Sequence, residues 1–149
     1  MNNTSTLWDH PDPFVIEITV KPEWIDALGH TNNLYYLDWL QRCAWQHSKH
    51  RGFGEQQMVE LGKAMAVRET HMRYLRATFA GDQLLVGDWM TACDAKLRAT
   101  RNFQILRPAD RSVIMRAQID YVCINIESGK PTRMTAEFIR AYADDVRDR

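Results

Sequence analysis

A single helical stripe followed by an unbroken series of strand-like segments limits the folds open to this chain. Apolar side chains recur at spacings of three and four from about Asn33 to about His50, which predicts one long amphipathic helix. Before it, residues 14–20 alternate between apolar and polar and predict a first strand. After it, period-two segments separated by Gly, Pro and Asp turns predict four strands, at 64–75, 83–95, 100–107 and 112–125. This order predicts an α+β fold with a mostly antiparallel sheet.

The remaining segments are shorter and less regular. Residues 55–62 fit a short second helix, and residues 134–142 fit a short final strand. We expect residues 1–13 to form a flexible arm, residues 14–143 a single domain, and residues 144–149 a charged tail with frayed structure. No repeat and no low-complexity linker interrupts the sequence, which supports one domain.

Composition argues against several classes of protein. Lys plus Arg and Asp plus Glu both number 19, and this balance argues against a nucleic-acid partner bound through bulk positive charge. The three cysteines are far apart and lack zinc-ligand spacing, which is typical of buried thiols in a reducing compartment. The N-terminus has no signal-peptide pattern, and no segment approaches the roughly 20 apolar residues of a membrane span. We therefore expect a cytoplasmic protein with no metal and no membrane or nucleic-acid partner.

Three motifs occur in an order that resembles a known family. Residues 25–37 read IDALGHTNNLYYL, and this segment resembles the signature of 4-hydroxybenzoyl-CoA-thioesterase-like hotdog proteins. In that signature an Asp precedes a Gly-His or Gly-Ile pair, and two Asn residues open the long helix. YLRATFAGD at 74–82 and ESGKP at 127–131 resemble the family's strand-turn-strand and final hairpin. The resemblance implies a hotdog fold, in which a curved antiparallel β-sheet wraps around one long central helix, and a homodimer, often a tetramer, with active sites at the dimer interface.

Asp26 matches the position of the family's catalytic carboxylate. As a carboxylate, it could act as a general base on water or attack the thioester carbonyl to give a mixed anhydride. The first N–H groups of a helix lack internal partners, so the N–H of Asn33 or a neighbour could hold the charge that develops on the carbonyl oxygen. Two alternatives stay open: Asp26 only caps the helix or braces its turn, and Asn32 or Asn33 only caps the helix.

Three neighbours of Asp26 are further candidates for the site. His30 either touches the substrate in the catalytic step or packs the loop, and Gly29 would let the loop backbone approach the substrate closely. Tyr36 could line the acyl pocket, although aromatic side chains on a helix more often belong to a core or an interface. Asp38, the acidic residue on the helix, is expected to be solvated.

Arginines are the expected ligands for the phosphates of coenzyme A, because the guanidinium group suits phosphate geometry. Arg98 and Arg101 lie near a turn and are the first candidates, and Arg73 and Arg76 are their rivals. Each of the four could also be ordinary surface.

The sequence thus predicts an acyl-CoA thioesterase that releases a carboxylic acid and free CoA. Coenzyme A is part of the substrate, so no separate cofactor is expected. An acyl-ACP thioesterase and a non-catalytic hotdog protein that binds acyl-CoA are the alternatives. A carboxylate at position 26 favours the enzyme, because binding alone has no need of it. The acyl group stays open.

Overall fold

The computed structural model describes residues 4–146 of the chain. Its elements, in chain order, are β1 Phe14–Thr19, α1 Asn33–His50, α2 Glu55–Leu61, β2 Lys63–Tyr74, β3 Gln83–Cys93, β4 Arg98–Arg107, β5 Ser112–Asn125 and α3 Ala136–Ala141. The predicted ends of α1 and β5 agree with those observed, and the other predicted strands differ at their ends by one or two residues. Within the described residues, no helix combines the length and the apolar character needed to cross a membrane.

The five strands form one sheet in the order β1-β3-β4-β5-β2. β1 pairs with β3 in antiparallel register, with Phe14 opposite Asp88 and Thr19 opposite Gln83. The chain thus leaves β1 at one edge of the sheet, forms α1 and α2, and enters the opposite edge as β2 before it returns to pair with β1 through β3. β2 is 12 residues long, and most of its side chains are exposed.

The described residues fall into two compact units. The first comprises 4–44, Met72–Asp88 and Phe103–Ala117. Its core contains almost fully buried side chains from α1, β3 and β4: Trp39, Leu40, Leu84, Val86, Phe103 and Ile105. The Sγ atom of Cys43 lies 3.4 Å from the carbonyl oxygen of Val86, so the first part of α1 packs against β3.

The second unit comprises Trp45–His71, Trp89–Asn102 and 118–146. Phe138 of α3 is fully buried in it, with its ring edge-on to that of Phe53 at a centroid distance of 4.6 Å. Edge-to-face pairs of this kind add about 0.5–1.5 kcal/mol to the burial of the rings themselves.

The predicted strand at 134–142 is wrong, because this segment contains the helix α3. Its buried residues Met134, Phe138, Ala141 and Tyr142 recur at the three- and four-residue spacing of a helix. The segment is too short for that period to stand out in the sequence. The short helix predicted at 55–62 is confirmed as α2.

The segment predicted to be a flexible arm packs against the sheet of the first unit. A Cβ atom on Gly87 of β3 would meet the indole ring of Trp8 at 2.5 Å, so the ring lies directly over this glycine. The side-chain amide of Gln104 hydrogen-bonds the backbone on both sides of Trp8, at 2.8 and 2.9 Å. Asp9 and Arg116 form an ion pair at 2.6 Å. These contacts favour an anchored segment over a flexible arm.

The two ends of the chain are only partly described. Residues 1–3 of the predicted arm and 147–149 of the predicted tail lie outside the described residues. Within the predicted tail, Asp145 is buried, and its Oδ2 lies 3.0 Å from Nε2 of His47, a contact that favours an ordered chain at this residue. The single domain expected over 14–143 stays a prediction.

Candidate active site

A narrow hairpin leads into α1 and carries the first part of the signature. Ile25 pairs with Thr31 in an isolated bridge, and the N–H of Asp26 donates to the carbonyl oxygen of His30 at 2.9 Å. The N–H of Gly29 donates to the carbonyl oxygen of Asp26 at 3.0 Å and closes the turn. Gly29 has a φ of +85°, a left-handed conformation that favours glycine. Asp26 therefore stands opposite His30 at the base of the turn.

The Asp26 carboxylate has one structural partner. Its Oδ1 accepts a hydrogen bond from the N–H of Leu28 at 2.9 Å, a local contact that aspartate commonly makes at the first position of a turn. Its Oδ2 forms no hydrogen bond or ion pair with any residue between 4 and 146, and the side chain is half-buried. The turn-bracing role therefore uses one carboxylate oxygen and leaves the other available.

The start of α1 is capped by Asn32. Its Oδ1 accepts the N–H of Leu34 at 3.0 Å, and its carbonyl oxygen accepts the N–H of Tyr35 at 3.0 Å. Its own N–H donates to the carbonyl oxygen of Trp24 at 2.8 Å, which fixes the entry of the chain into the helix. Within the described part of the chain, the N–H of Asn33 makes no hydrogen bond. The first turn of α1 therefore keeps a free donor at Asn33.

A groove of about 240 Å³ opens beside the helix start. It is lined by His30, Thr31, Asn33, Tyr36 and residues 74–77. Three of the side chains predicted for the site, on His30, Asn33 and Tyr36, therefore meet at one groove. Asp26 and Gly29 do not line it, but they belong to the hairpin that carries His30.

Aromatic contacts hold two of the groove's side chains. The ring of Tyr36 is edge-on to that of Tyr74, with centroids 5.5 Å apart. The imidazole of His30 is edge-on to the ring of Phe79 at 5.3 Å. Inside the described ranges, His30 forms no ion pair with Asp26. Packing rather than charge therefore orients His30.

Arg107 anchors the end of the groove wall. Its Nη1 donates to the carbonyl oxygen of Ala77 at 3.1 Å and to Oδ2 of Asp82 at 2.8 Å, and its Nη2 donates to Oδ2 of Asp110 at 3.0 Å. Hydrogen bonds from the Arg107 guanidinium and from the Ser112 hydroxyl hold the pKa of the Asp110 carboxyl well below its usual range. The sequence does not indicate Arg107 as a site residue, because its partners at 77 and 82 are far from it in the chain and no local motif signals the contact.

The two arginines expected at the CoA phosphates lie in the second unit. Arg98 is exposed and follows a turn in which Oδ1 of Asp94 accepts its N–H at 2.9 Å. Arg101 is 2% exposed, with Nη1 2.9 Å from Nδ1 of His47, whose Nε2 meets Asp145. A guanidinium held in this interior network does not reach a solvated phosphate. Burial therefore disfavours the phosphate role for Arg101, whereas Arg98 keeps it.

Two further polar pairs are exposed. Nε2 of His71 lies 3.6 Å from Oε2 of Glu69, and both side chains are more than half exposed. Asp38 of α1 is solvated, as expected, and pairs with Arg42 at 2.9 Å. No group of three or more His, Cys, Asp or Glu side chains that could hold a metal ion occurs between residues 4 and 146.

Comparisons with known proteins agree with this architecture. Residues 20–142 match the model of a family described as the thioesterase-like superfamily. No curated protein matches the sequence. Among solved structures, a 1,4-dihydroxy-2-naphthoyl-CoA thioesterase from Synechocystis is 20% identical with a TM-score of 0.79, and the match covers 89% of this chain and 97% of that one.

Two other solved structures are similar to the same extent. A Staphylococcus aureus protein solved in complex with CoA is 18% identical with a TM-score of 0.81, covering 92% of this chain and 87% of that one. YbaW, a probable thioesterase from Escherichia coli, is 21% identical with a TM-score of 0.75, covering 90% and 99%.

At these identities the structural likeness shows the fold alone, and it confirms the predicted hotdog fold. The family match is broader evidence, because it spans the hairpin, all three helices and strands β2 to β5. The chain therefore belongs to the thioesterase-like superfamily, and its predicted class of activity, thioester hydrolysis, is confirmed at the level of that family.

Proposed function

We propose that the chain is an acyl-CoA thioesterase in which Asp26 drives hydrolysis and the start of α1 holds the developing negative charge. The observation that carries the proposal is the free N–H of Asn33, a residue that lines the groove. Asp26 is kept in the adjoining hairpin by its backbone bond to His30. An attacking group and a charge-holding donor are thus available within one short stretch of chain.

The Oδ2 atom of Asp26 is available for the reaction. Because Oδ1 is bound to the N–H of Leu28, the carboxylate is oriented, and Oδ2 can take a proton from water or attack the thioester carbon. General-base assistance is typically worth about 10²–10⁴ in rate. Both routes end in a carboxylic acid and free CoA, and the position of Asp26 is compatible with either.

The backbone N–H of Asn33 suits the thioester oxygen. As the first N–H of a helix, it carries part of the positive end of the helix dipole. A backbone donor aimed at the developing oxyanion is worth roughly 10²–10³ in rate. His30 and Tyr36 line the same groove and are proposed to contact the substrate, and the left-handed Gly29 keeps the turn narrow beside them.

Coenzyme A is the proposed carrier. Arg76 is exposed and lines the groove, so it now joins Arg98 as a candidate for the phosphate contacts. The Staphylococcus aureus neighbour was solved with CoA, which supports the same choice. Comparing equal concentrations of one acyl group on CoA and on ACP tests it, and faster hydrolysis of the ACP ester would favour the alternative carrier.

A second copy of the chain is part of the proposal. β2 is a long edge strand, and its Val67 and Tyr74 are 45% and 48% exposed. Exposed strand edges favour pairing with another chain. Tyr74 also lines the groove, so a copy paired along β2 reaches the site. Placing a lysine at the edge with Val67→Lys should yield a monomer by sedimentation with lowered activity, and an active monomer would remove the dimer from the proposal.

The location proposed for the protein is the cytoplasm. Its three cysteines, Cys43, Cys93 and Cys123, are all free thiols, which is the state that a reducing compartment maintains.

Two substitutions at position 26 separate charge from turn formation. Asp26→Asn keeps an Oδ1 acceptor for the N–H of Leu28 but loses the negative charge, whereas Asp26→Ala loses both. Asp38→Asn is the matched control, because it removes an exposed carboxylate from α1. We expect Asp26→Asn to lower kcat about 10²–10⁴-fold with unchanged thermal stability, and the control to keep wild-type kcat.

Release of free thiol from a panel of acyl-CoAs measures these effects. Full activity of folded Asp26→Asn would remove the carboxylate from the mechanism. If the wild-type protein binds acyl-CoA tightly and hydrolyses none of the panel, the non-catalytic binding function takes its place.

A further inference from the structure

We propose that Thr78 and Thr31 are positioning residues for this reaction, and that their hydroxyl chain takes the proton of Tyr36 away from the substrate. The inference rests on the proposed function and extends it. It concerns two threonines that lie within the motifs at 25–37 and 74–82 but to which the resemblance gives no role, and one of them is entirely buried behind the groove wall.

Three hydroxyl groups form a continuous buried chain in the first unit. The hydroxyl of Tyr36 lies 2.9 Å from Oγ1 of Thr78, and Oγ1 of Thr78 lies 2.7 Å from Oγ1 of Thr31. Oγ1 of Thr31 lies 3.2 Å from the carbonyl oxygen of Thr78. The exposed fractions of Tyr36, Thr31 and Thr78 are 3%, 3% and 0%, so water does not compete for these bonds.

The hydrogen bonds of this hydroxyl chain all run in one direction, because each hydroxyl group has only one proton to donate. A carbonyl oxygen only accepts, so Thr31 donates to the carbonyl oxygen of Thr78. Thr31 then accepts from the hydroxyl of Thr78, and Thr78 accepts from Tyr36. The hydroxyl of Tyr36 therefore donates its hydrogen bond to Oγ1 of Thr78. In the groove Tyr36 can offer oxygen lone pairs, and it does not donate to a thioester oxygen.

The same chain fixes the two sides of the groove relative to each other. Tyr36 belongs to the first turn of α1, Thr31 precedes the cap Asn32, and Thr78 directly follows the groove wall at 74–77. The N–H of Thr31 also donates to the carbonyl oxygen of Thr78 at 3.0 Å. The hydroxyl chain thus sets the position of the helix start, and with it the free N–H of Asn33, against the wall.

Removing the Thr78 hydroxyl breaks two bonds without changing the shape of the side chain. In Thr78→Val the buried Tyr36 hydroxyl loses its acceptor and Thr31 loses its donor. We expect kcat to fall by roughly 10²-fold, the loss that a misplacement of about 1 Å causes, with KM within about threefold of wild type. Thr78→Ser restores the hydroxyl and should recover most of the lost kcat.

Thr100→Val is the matched control, since its half-buried hydroxyl also donates one side-chain hydrogen bond, to Asp120 at 2.9 Å, but Thr100 does not line the groove. It should keep wild-type kcat and KM. A comparable loss of melting temperature in Thr100→Val and Thr78→Val shows that the fall in kcat does not follow from stability alone.

The substitution Tyr36→Phe tests the direction in which the hydrogen bonds of the hydroxyl chain run. If the Tyr36 proton serves Thr78, Tyr36→Phe leaves the Thr31–Thr78 bond intact and lowers kcat less than Thr78→Val does. If Tyr36 instead donates to the substrate, Tyr36→Phe lowers kcat more than Thr78→Val. That order, or wild-type kcat in folded Thr78→Val, overturns the proposal.

A separate readout distinguishes failure of this inference from failure of the proposed function. Hydrogen exchange at residues 30–36 should be at least about tenfold faster in Thr78→Val than in wild type and unchanged in Thr100→Val. If the wild-type protein hydrolyses no thioester, the proposed function fails. The exchange rates still report whether the hydroxyl chain stabilises the start of α1. Unchanged exchange in Thr78→Val counts against positioning in either case.

Discussion

The contact between Trp8 and Gly87 allows a stability prediction whose sign depends on a second residue. A Cβ atom at position 87 would lie 2.5, 2.8 and 3.2 Å from three carbons of the Trp8 ring, and the first two distances are shorter than real Cβ contacts allow. Gly87→Ala therefore forces either the strand or the ring to move. The indole is the element that yields, because β3 is held on both sides by neighbouring strands.

The loss of folding free energy follows from the buried surface and the contacts that the Trp8 ring loses when it is displaced. Trp8 is partly buried, and burial of about 100 Å² of aromatic surface is worth about 2.5 kcal/mol at 25 cal/mol per Å². The ion pair of Asp9 with Arg116 adds little, since both side chains are more than 40% exposed. Overpacking usually costs about 1–3 kcal/mol. We expect Gly87→Ala to lower the free energy of unfolding by about 2 kcal/mol, or the melting temperature by about 4–8 °C.

In a Trp8→Ala background the same substitution should cease to destabilise. Gly87 has no left-handed φ, so alanine fits its backbone, and replacing a compatible glycine stabilises by about 0.4–1 kcal/mol through the unfolded state. A double-mutant cycle measured by urea unfolding should therefore give a coupling of at least about 1.5 kcal/mol. Additive effects, with a coupling below about 0.5 kcal/mol, would refute the reasoning.

Three further predictions concern charge and capping. Because Arg107 holds the folded-state pKa of Asp110 below its unfolded value, the resulting stabilisation is present above about pH 4 and is lost as the pH falls towards the folded-state pKa. Asp110→Asn should therefore lower the melting temperature at pH 7, by a margin that shrinks below about pH 4. Asp145→Ala removes the carboxylate that pairs with the buried Nε2 of His47 and with Arg51, and should cost about 1–3 kcal/mol in chemical unfolding, against less than about 0.5 kcal/mol for exposed Asp144→Ala. Asn32→Ala removes the α1 cap and should cost about 1 kcal/mol in the same assay.

Long periodic segments made most of the fold predictable. α1 spans 18 residues and β5 spans 14, so the helical period of one and the two-residue period of the other repeat often enough to identify them. α3 has six residues, fewer than two turns, and its sequence predicts a strand instead. The anchoring of Trp8 was also unpredictable, since a proline-rich, polar segment gives no sign that a glycine on a distant strand will receive an indole ring.

The candidate site was predictable only where its parts are close in the sequence. The hairpin, the cap and the free N–H of Asn33 all fall within residues 24–35, and the signature at 25–37 pointed to them. The contacts that support them come from elsewhere. Thr78 acts on Thr31, 47 positions away, and Arg107 acts on Asp82, 25 positions away. The motif at 74–82 includes Thr78 but does not indicate which of its residues contacts the helix start, and no motif includes Arg107.

The two roles considered for Asp26 use different atoms and support each other. A carboxylate whose Oδ1 is bound to the N–H of Leu28 cannot rotate freely, so its Oδ2 keeps one direction. A flexible base loses side-chain entropy when it is ordered for attack. In the proposed reaction, the Asp26 carboxylate is already ordered, so this entropy loss does not add to the barrier. The hydroxyl chain from Tyr36 through Thr78 to Thr31 does the same for the helix start. Folding thus orients both the proposed attacking oxygen and the proposed donor for the oxyanion before substrate arrives, which is the condition under which electrostatic stabilisation contributes most to rate.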